Sequence, residues 1–289
     1  MVAQKIDTRA IGLDTALALS RWLTGKEHLH YGLWTGLEVA AANVGRAQDA
    51  YSARLFALLP QRAGLRILDI GGGAGETAKK LIGLGHTVEI VVPSAFLASR
   101  CRENAPTARI HECLFEDLQS NGGFDVCLFS ESFQYIPMPF SLQKARSLLG
   151  EAGEIIIGDC FRSETFLTDP THYTVGGGHH IAEFRRILTS EPLQVLAEED
   201  ITEAVAPSVD LEQALYNVLG IGLSGTDREL RAKRPVRHKL LHGVLRVLIS
   251  ERKRARLSQR LFEKARTSAT FTANNRYLLI RLVPVLRPN

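Results

Sequence analysis

The sequence predicts an α/β fold: a doubly wound, mostly parallel seven-stranded sheet, with helices ahead of it and a helical insertion before its last strand. Three observations carry this. Short β-rich runs alternate with helical stretches between residues 65 and 205, the pattern of βαβ units. Some of these runs, such as Ile155-Ile156-Ile157, are continuously apolar, as strands covered on both faces must be. One run ends in Asp69 and enters a glycine-rich turn before a helix, where open α/β sheets bind ligands.

In chain order, residues 1–62 read as a helical cover. Apolar residues at helical spacing (Val44, Ala47, Tyr51, Leu55, Leu58) place a helix within 40–59, ended by Pro60. Strands follow at 66–70, 87–92, 108–112, 124–130, 154–159 and 193–201, with helices at 76–84, 95–104, 141–149 and 181–189. Residues 210–270 form the helical insertion, and 275–285 read as a final strand returning to the sheet edge. The core domain is therefore 63–209 plus 271–289.

The 289 residues suit one such sheet with an appendage. A composition 45% hydrophobic and 23% charged excludes disordered, collagen-like and coiled-coil classes. No apolar run reaches the roughly 18 residues of a membrane span, and the N-terminus lacks a basic region followed by an apolar core, so no secretory signal is expected. Four cysteines (Cys101, Cys113, Cys127, Cys160) without a CxxC pair argue for reduced thiols in a cytoplasm and against a structural zinc. His111-Glu112-Cys113 has no second cluster at ligand spacing, so no metal site is expected.

The glycine turn, Asp69-Ile-Gly71-Gly-Gly73-Ala-Gly75, is GxGxG rather than the GxGxxG of a dinucleotide site. An acid two residues before the first glycine shifts the reading from a pyrophosphate to a nucleoside without phosphate. At this point the sequence resembles the class I S-adenosylmethionine-dependent methyltransferases, in four motifs in order. Asp69–Gly75 matches their first motif. Phe124-Asp125 through Ser130, Gln134, Tyr135 and Pro137 matches the fourth-strand motif, and Leu148-Leu149 through Asp159 the fifth-strand region. His30-Tyr31-Gly32-Leu33-Trp34 resembles the "HYGYW" segment of members acting on sterols, tocopherols and similar small molecules.

The resemblance implies a Rossmann-like methyltransferase fold, S-adenosylmethionine as cofactor with S-adenosylhomocysteine as product, and methyl transfer to O, N or C of a small, hydrophobic or aromatic acceptor. Carried over residue by residue, it implies a cofactor site of Tyr31, Asp69, Gly71, Gly73, Gly75, Ser94, Phe115, Glu116 and Ser130, and an acceptor site of Trp34, Gln134 and Tyr135. Two departures stand out. Val92 occupies the position of the acid that usually holds the ribose hydroxyls, leaving Ser94, backbone or water to replace it. Leu114 occupies that of the acid near adenine, with Glu116-Asp117 just beyond. Each lost charge-assisted bond costs on the order of 1.5–3 kcal/mol of binding. The missing acid also feeds an alternative, a fold repurposed as a non-methylating enzyme or a non-catalytic partner.

Gly176-Gly177-Gly178-His179-His180 reads as a loop of high backbone freedom opening a helix. His179 and His180 are the candidate general bases, an imidazole being able to take a proton near neutrality. Glu131 reads as an ion-pairing residue and not as a base, and His28 and His30 as surface or capping residues. Residues 226–266 hold 14 Lys or Arg against 4 Asp or Glu, with an apolar stripe (Leu240, Leu241, Val244, Leu245, Leu248). Such a helix packs on the domain, covers a hydrophobic acceptor, lies on an anionic membrane surface, or meets an acidic carrier protein. No nucleic-acid motif accompanies it.

Overall fold

The computed structural model describes residues 8–166, 175–263 and 265–285. The expected domain limits at residues 1 and 289, and the stretches 1–7, 167–174, 264 and 286–289 within those domains, lie outside the described residues.

The strands are β1 (Arg66–Ile70), β2 (Thr87–Val91), β3 (Arg109–His111), β4 (Phe124–Ser130), β5 (Leu149–Arg162), β6 (Leu193–Asp200) and β7 (Asn275–Pro284). They form one sheet in the order β3-β2-β1-β4-β5-β7-β6. All pairings from β3 to β5 are parallel, while β7 runs antiparallel to both its neighbours. Helices α1 (Thr8–Thr24) and α2 (Val44–Phe56) precede the sheet. Helices α3 (Glu76–Gly83), α4 (Ala95–Asn104), α5 (Met138–Leu148) and α6 (Ile181–Ser190) alternate with its strands. A chain of helices then separates β6 from β7: α7 (Thr202–Val205), α8 (Pro207–Lys233), α9 (Pro235–Leu248), α10 (Glu251–Phe262) and α11 (Ser268–Asn274).

The continuous apolar runs behave as strand sterics require. Successive side chains point to opposite faces, so Ile67, Val126, Leu128 and Ile156 enter one core layer, and Leu68, Ile70, Cys127, Phe129, Ile155 and Ile157 the other. All of these are fully buried, at about 1.5–3 kcal/mol for each large apolar side chain.

The structure corrects one expectation. The last strand is interior, with β6 at the edge. Tyr277, Leu279, Ile280 and Leu282 of β7 are all fully buried, an apolar run that needs partners on both sides. Strand β6 carries Gln194, Glu198 and Glu199 and is largely exposed, which suits a solvated edge.

The helical insertion differs from the core. Only Val209, Gln213 and Gly220 of α8, Leu261 of α10 and no residue of α9 are buried. The apolar stripe is not packed on the domain: Leu240 is 68% and Leu248 75% exposed. No helix among the described residues is long and apolar enough to cross a membrane.

Candidate cofactor and acceptor site

The site is built where β1, β4 and β5 reach their carboxyl ends. The β1 end passes into the glycine turn, whose three alternate glycines all have positive φ: 74° at Gly71, 55° at Gly73 and 87° at Gly75. A side chain is strained in each of these conformations. At Gly71 a Cβ would also stand 2.5 Å from Ser132 Cβ, and at Gly75 3.0 Å from Cys101 Cα, so these two glycines are required for packing. Gly73 differs. Nothing lies within 4 Å of the position its Cβ would take, so it presents open backbone to an incoming molecule. Gly75 caps α3 with no side-chain acceptor, leaving first-turn N–H groups for a ligand.

Beneath this turn lies Asp69. It is 1% exposed, and among the described residues neither carboxylate oxygen has a hydrogen-bond partner. One oxygen sits 2.7 Å from where a Cβ on Gly72 would stand. Burial pushes its pKa up to about 7. A buried acid without a donor is costly, and the same position holds a ligand's ammonium or hydroxyl well. Asp69 therefore suits an amino-acid-bearing cofactor, whose ammonium would supply the missing donor.

Two further acids end the neighbouring strands. Glu131 follows β4 with φ 54°, the one positive-φ residue other than glycine among those described. Such strain collects at functional sites. Its Oε1 accepts from the backbone N–H of Tyr31 at 2.8 Å and from the Tyr277 hydroxyl at 2.6 Å. The Tyr277 hydroxyl lies 2.9 Å from that of Tyr51. Gly158 makes room for this network, since a Cβ there would stand 2.7 Å from the Tyr51 hydroxyl oxygen. Asp159 lies in the buried carboxyl-terminal half of β5. Its Oδ1 accepts from Gln134 Nε2 at 2.9 Å and its Oδ2 from the Gln134 backbone N–H at 3.1 Å. Burial raises Glu131 to about 7, and burial together with the Glu131 charge raises Asp159 to about 8. Three acids with pKa values near neutrality at adjacent strand ends mark a functional site.

The residues expected from sequence fall as follows. Asp69, Gly71, Gly73 and Gly75 build the turn. Tyr31 stands over the Glu131 network, its ring edge-on to Phe271 at 5.8 Å. Ser130 ends β4, directly before Glu131. Ser94 caps α4, its hydroxyl accepting from Leu97 N–H at 3.4 Å. Val92 is buried and donates its N–H to the His111 carbonyl at 3.0 Å, so no side-chain acceptor stands there. Phe115 is buried edge-on against Phe129 at 5.9 Å, and the carbonyl of Glu116 accepts from Lys144 Nζ at 2.7 Å. Gln134 is tethered to Asp159, whereas Tyr135 is 68% exposed.

Other expectations are corrected. Trp34 is buried, with its indole N–H donating to Ser208 at 2.8 Å, which makes it a strut to α8 rather than an acceptor-facing ring. His179 Nε2 lies 3.1 Å and 2.9 Å from the carbonyl oxygens of Phe133 and Ile136. Only an N–H satisfies two carbonyls, so that nitrogen cannot serve as a base. His180 is exposed, its ring against Phe166 at 5.6 Å. The triple glycine is pinned rather than loose: a Cβ on Gly178 would fall 1.8 Å from the Cys160 carbonyl oxygen. His28 and His30 are buried, 3.0 Å apart through their ring nitrogens, and burial lowers them to about 2 and about 4, keeping both neutral. Glu131 meets hydroxyl and amide donors instead of a cation.

Sequence reasoning assigned no role to Tyr51, Tyr277 or Asp159. An acid directly after a continuous apolar run, as in Ile-Ile-Ile-Gly-Asp159, was the available signal. An open cleft of about 860 Å³ lies beside Leu33, Arg54, Glu199 and Arg276, away from all three buried acids. Its walls mix polar and apolar side chains and include none of the three acids.

Strand order, the antiparallel β7 and the turn after β1 together define the class I methyltransferase fold. No family model matches the chain. Among curated proteins it is similar to the 27-O-demethylrifamycin SV methyltransferase of Amycolatopsis mediterranei (strain S699), 29% identical over 160 residues. That match covers 51% of this chain and 56% of the relative, so it spans little more than half of the relative's length. Among solved structures, the 4+2 cyclase SpnF superposes with a TM-score of 0.66 at 14% identity, covering 96% of both chains. The geranyl diphosphate C-methyltransferase of Streptomyces coelicolor A3(2) gives 0.60 at 17% identity, covering 92% of this chain and 91% of that one.

Proposed function

We propose that this protein is a methyltransferase that uses S-adenosylmethionine and acts on a small hydrophobic or aromatic acceptor. The observation that carries the reading is Asp69, a buried carboxyl without a partner beneath an open glycine turn. Asp69, Gly71, Gly73 and the α3 N-terminus would hold the cofactor, with Ser94 nearest the ribose and Tyr31 over the reacting end. When bound, the cofactor supplies a methyl group on an activated sulfonium. The chain's own work is then alignment and water exclusion, which can be worth several kcal/mol. The aromatic wall of Tyr31, Phe271 and Tyr277 excludes water and favours a nearby positive charge.

We assign the acceptor's proton to Glu131 rather than to His179 or His180, because a carboxyl near pKa 7 both accepts and releases a proton at neutral pH. Likeness to the rifamycin-pathway enzyme and the geranyl diphosphate enzyme supports a small-molecule acceptor. Four unpaired cysteines, three of them buried, support a cytoplasmic setting. Membrane-surface or carrier contact through the exposed α9 stripe belongs to the same proposal, and liposome flotation at low and high salt tests it. A salt-independent absence from vesicles would remove the membrane arm.

Val92 favours a second reading. Without a ribose acid, the fold could bind its nucleoside for a purpose other than methyl transfer, as a cyclase such as SpnF shares this architecture. Mass spectrometry of an acceptor panel incubated with S-adenosylmethionine separates the two. A product heavier by one methylene, formed with stoichiometric S-adenosylhomocysteine, supports transfer. Bound cofactor that is never consumed supports the second reading.

A further inference from the structure

Helices α8 and α9 are joined through the single residue Arg234, so α9 folds back along α8. His238 and His242 are four residues apart and therefore share one face of α9. That face meets Asp227 on α8. The two Nε2 atoms lie 3.0 Å and 2.6 Å from the same oxygen, Asp227 Oδ1, and the rings are 4.2 Å apart. One donor atom from each of the three residues falls within 4.8 Å of the others.

We propose that Asp227, His238 and His242 form a site for a borderline transition-metal ion, zinc(II) being the probe of choice, that staples α9 to α8. In a tetrahedral zinc site, ligand atoms 2.0–2.1 Å from the metal stand about 3.3 Å from one another. The present spacings reach that geometry with side-chain movements of about an ångström. Two imidazole nitrogens and one carboxylate suit zinc, nickel, cobalt or copper and not magnesium or calcium. The surrounding charge, 14 basic residues against 4 acidic across 226–266, opposes any cation, so the coordinate bonds to two imidazoles and a carboxylate, and not the local field, must hold the ion. Three protein ligands leave a fourth position for water.

The site also has a structural task. No residue of α9 is buried, so packing alone gives the hairpin little stability, and metal binding here contributes directly to folding. The absence of a metal site expected from the sequence rested on cysteine spacing and on the lone His111-Glu112-Cys113 run. The His-x3-His pair becomes a ligand set only when the hairpin brings in Asp227.

The test is calorimetric titration of the full chain, stripped with chelator, using zinc(II), paired with visible spectra of the cobalt(II) form. The expected result is one equivalent bound with a dissociation constant near or below about 1 μM, cobalt bands of four-coordinate type, and a raised melting temperature. The surface double variant His238→Ala/His242→Ala, shown to be folded by circular dichroism, should bind at least about 100-fold more weakly, and Asp227→Asn at least about tenfold. Equal binding by wild type and the double variant would place the metal elsewhere, on a cysteine for example, and overturn the proposal. So would wild type that fails to bind, or Asp227→Asn that binds as wild type does.

Discussion

The strand ends of β1, β4 and β5 and the α8–α10 insertion obey opposite rules. At the strand ends the apolar side chains Ile70, Phe129, Ile157 and Phe161 are buried, yet the region holds three acids that water would solvate better. In the insertion, Ile221 is 73% and Val247 85% exposed, polar and apolar side chains alike face solvent, and no acid is buried. The lesson concerns where stability is given up. The core tolerates Asp69, Glu131 and Asp159 because the surrounding apolar layers carry the cost, and such concessions point to binding and chemistry. The insertion gives up burial instead, which suits a surface that waits for a partner or a clamp.

The comparison can be broken first at Gly178. Replacing it with alanine drives a Cβ into the Cys160 carbonyl at 1.8 Å and strains φ at 100°. We expect a loss of at least about 3 kcal/mol, read as a fall in the denaturant midpoint. A loss under about 0.5 kcal/mol would mean the triple glycine is loose after all.

Asp69 comes next. Its folded pKa of about 7 lies above the ordinary aspartate value of 3.8, so between those values the folded state binds more protons than the unfolded one. Stability of the ligand-free protein is therefore full below about pH 4 with respect to this group, and is lost as pH rises through about 7. Asp69→Asn should stabilise the ligand-free protein at pH 8 by on the order of 2–4 kcal/mol while weakening cofactor binding at least about tenfold. Thermal melts across pH 4–8 check the first half. An unchanged pH slope would show that Asp69 is paired in solution.

Glu131→Gln should lower turnover by roughly 10²–10⁴ with cofactor affinity intact, whereas His179→Ala should cost about 1–2 kcal/mol of stability through its two carbonyl bonds and spare turnover. The reverse pattern would return the base to the imidazole. Smallest of all, Val247→Lys in the insertion should change stability by less than about 0.5 kcal/mol. A larger loss would show that α9 is packed in solution.

Much of this contrast was legible in the sequence. Strands β1 and β4 and helix α4 begin and end at the expected residues, because apolar runs and turn signals are local. The glycine turn and Asp69 were legible for the same reason. What was not legible depends on residues far apart in the chain. Glu131 meets Tyr277 across 146 positions, and Tyr277 meets Tyr51 across 226. Only the assembled sheet makes those contacts. The interior place of β7 has the same origin, since an apolar strand does not declare its neighbours. His28 and His30 look polar in sequence, and their burial follows from His30 packing on Tyr51 and His28 packing on His30. On α9, periodicity gave the stripe correctly but could not say that nothing in the core receives it.

The central claim is that the turn over Asp69 receives S-adenosylmethionine despite Val92. Calorimetric titration of the folded, ligand-stripped chain with S-adenosylmethionine and then S-adenosylhomocysteine tests it most directly. The account predicts that both bind at micromolar levels, with Asp69→Asn weakened at least about tenfold. Failure of both to bind a protein shown to be folded would contradict it, and would mean that the missing ribose acid outweighs the glycine turn.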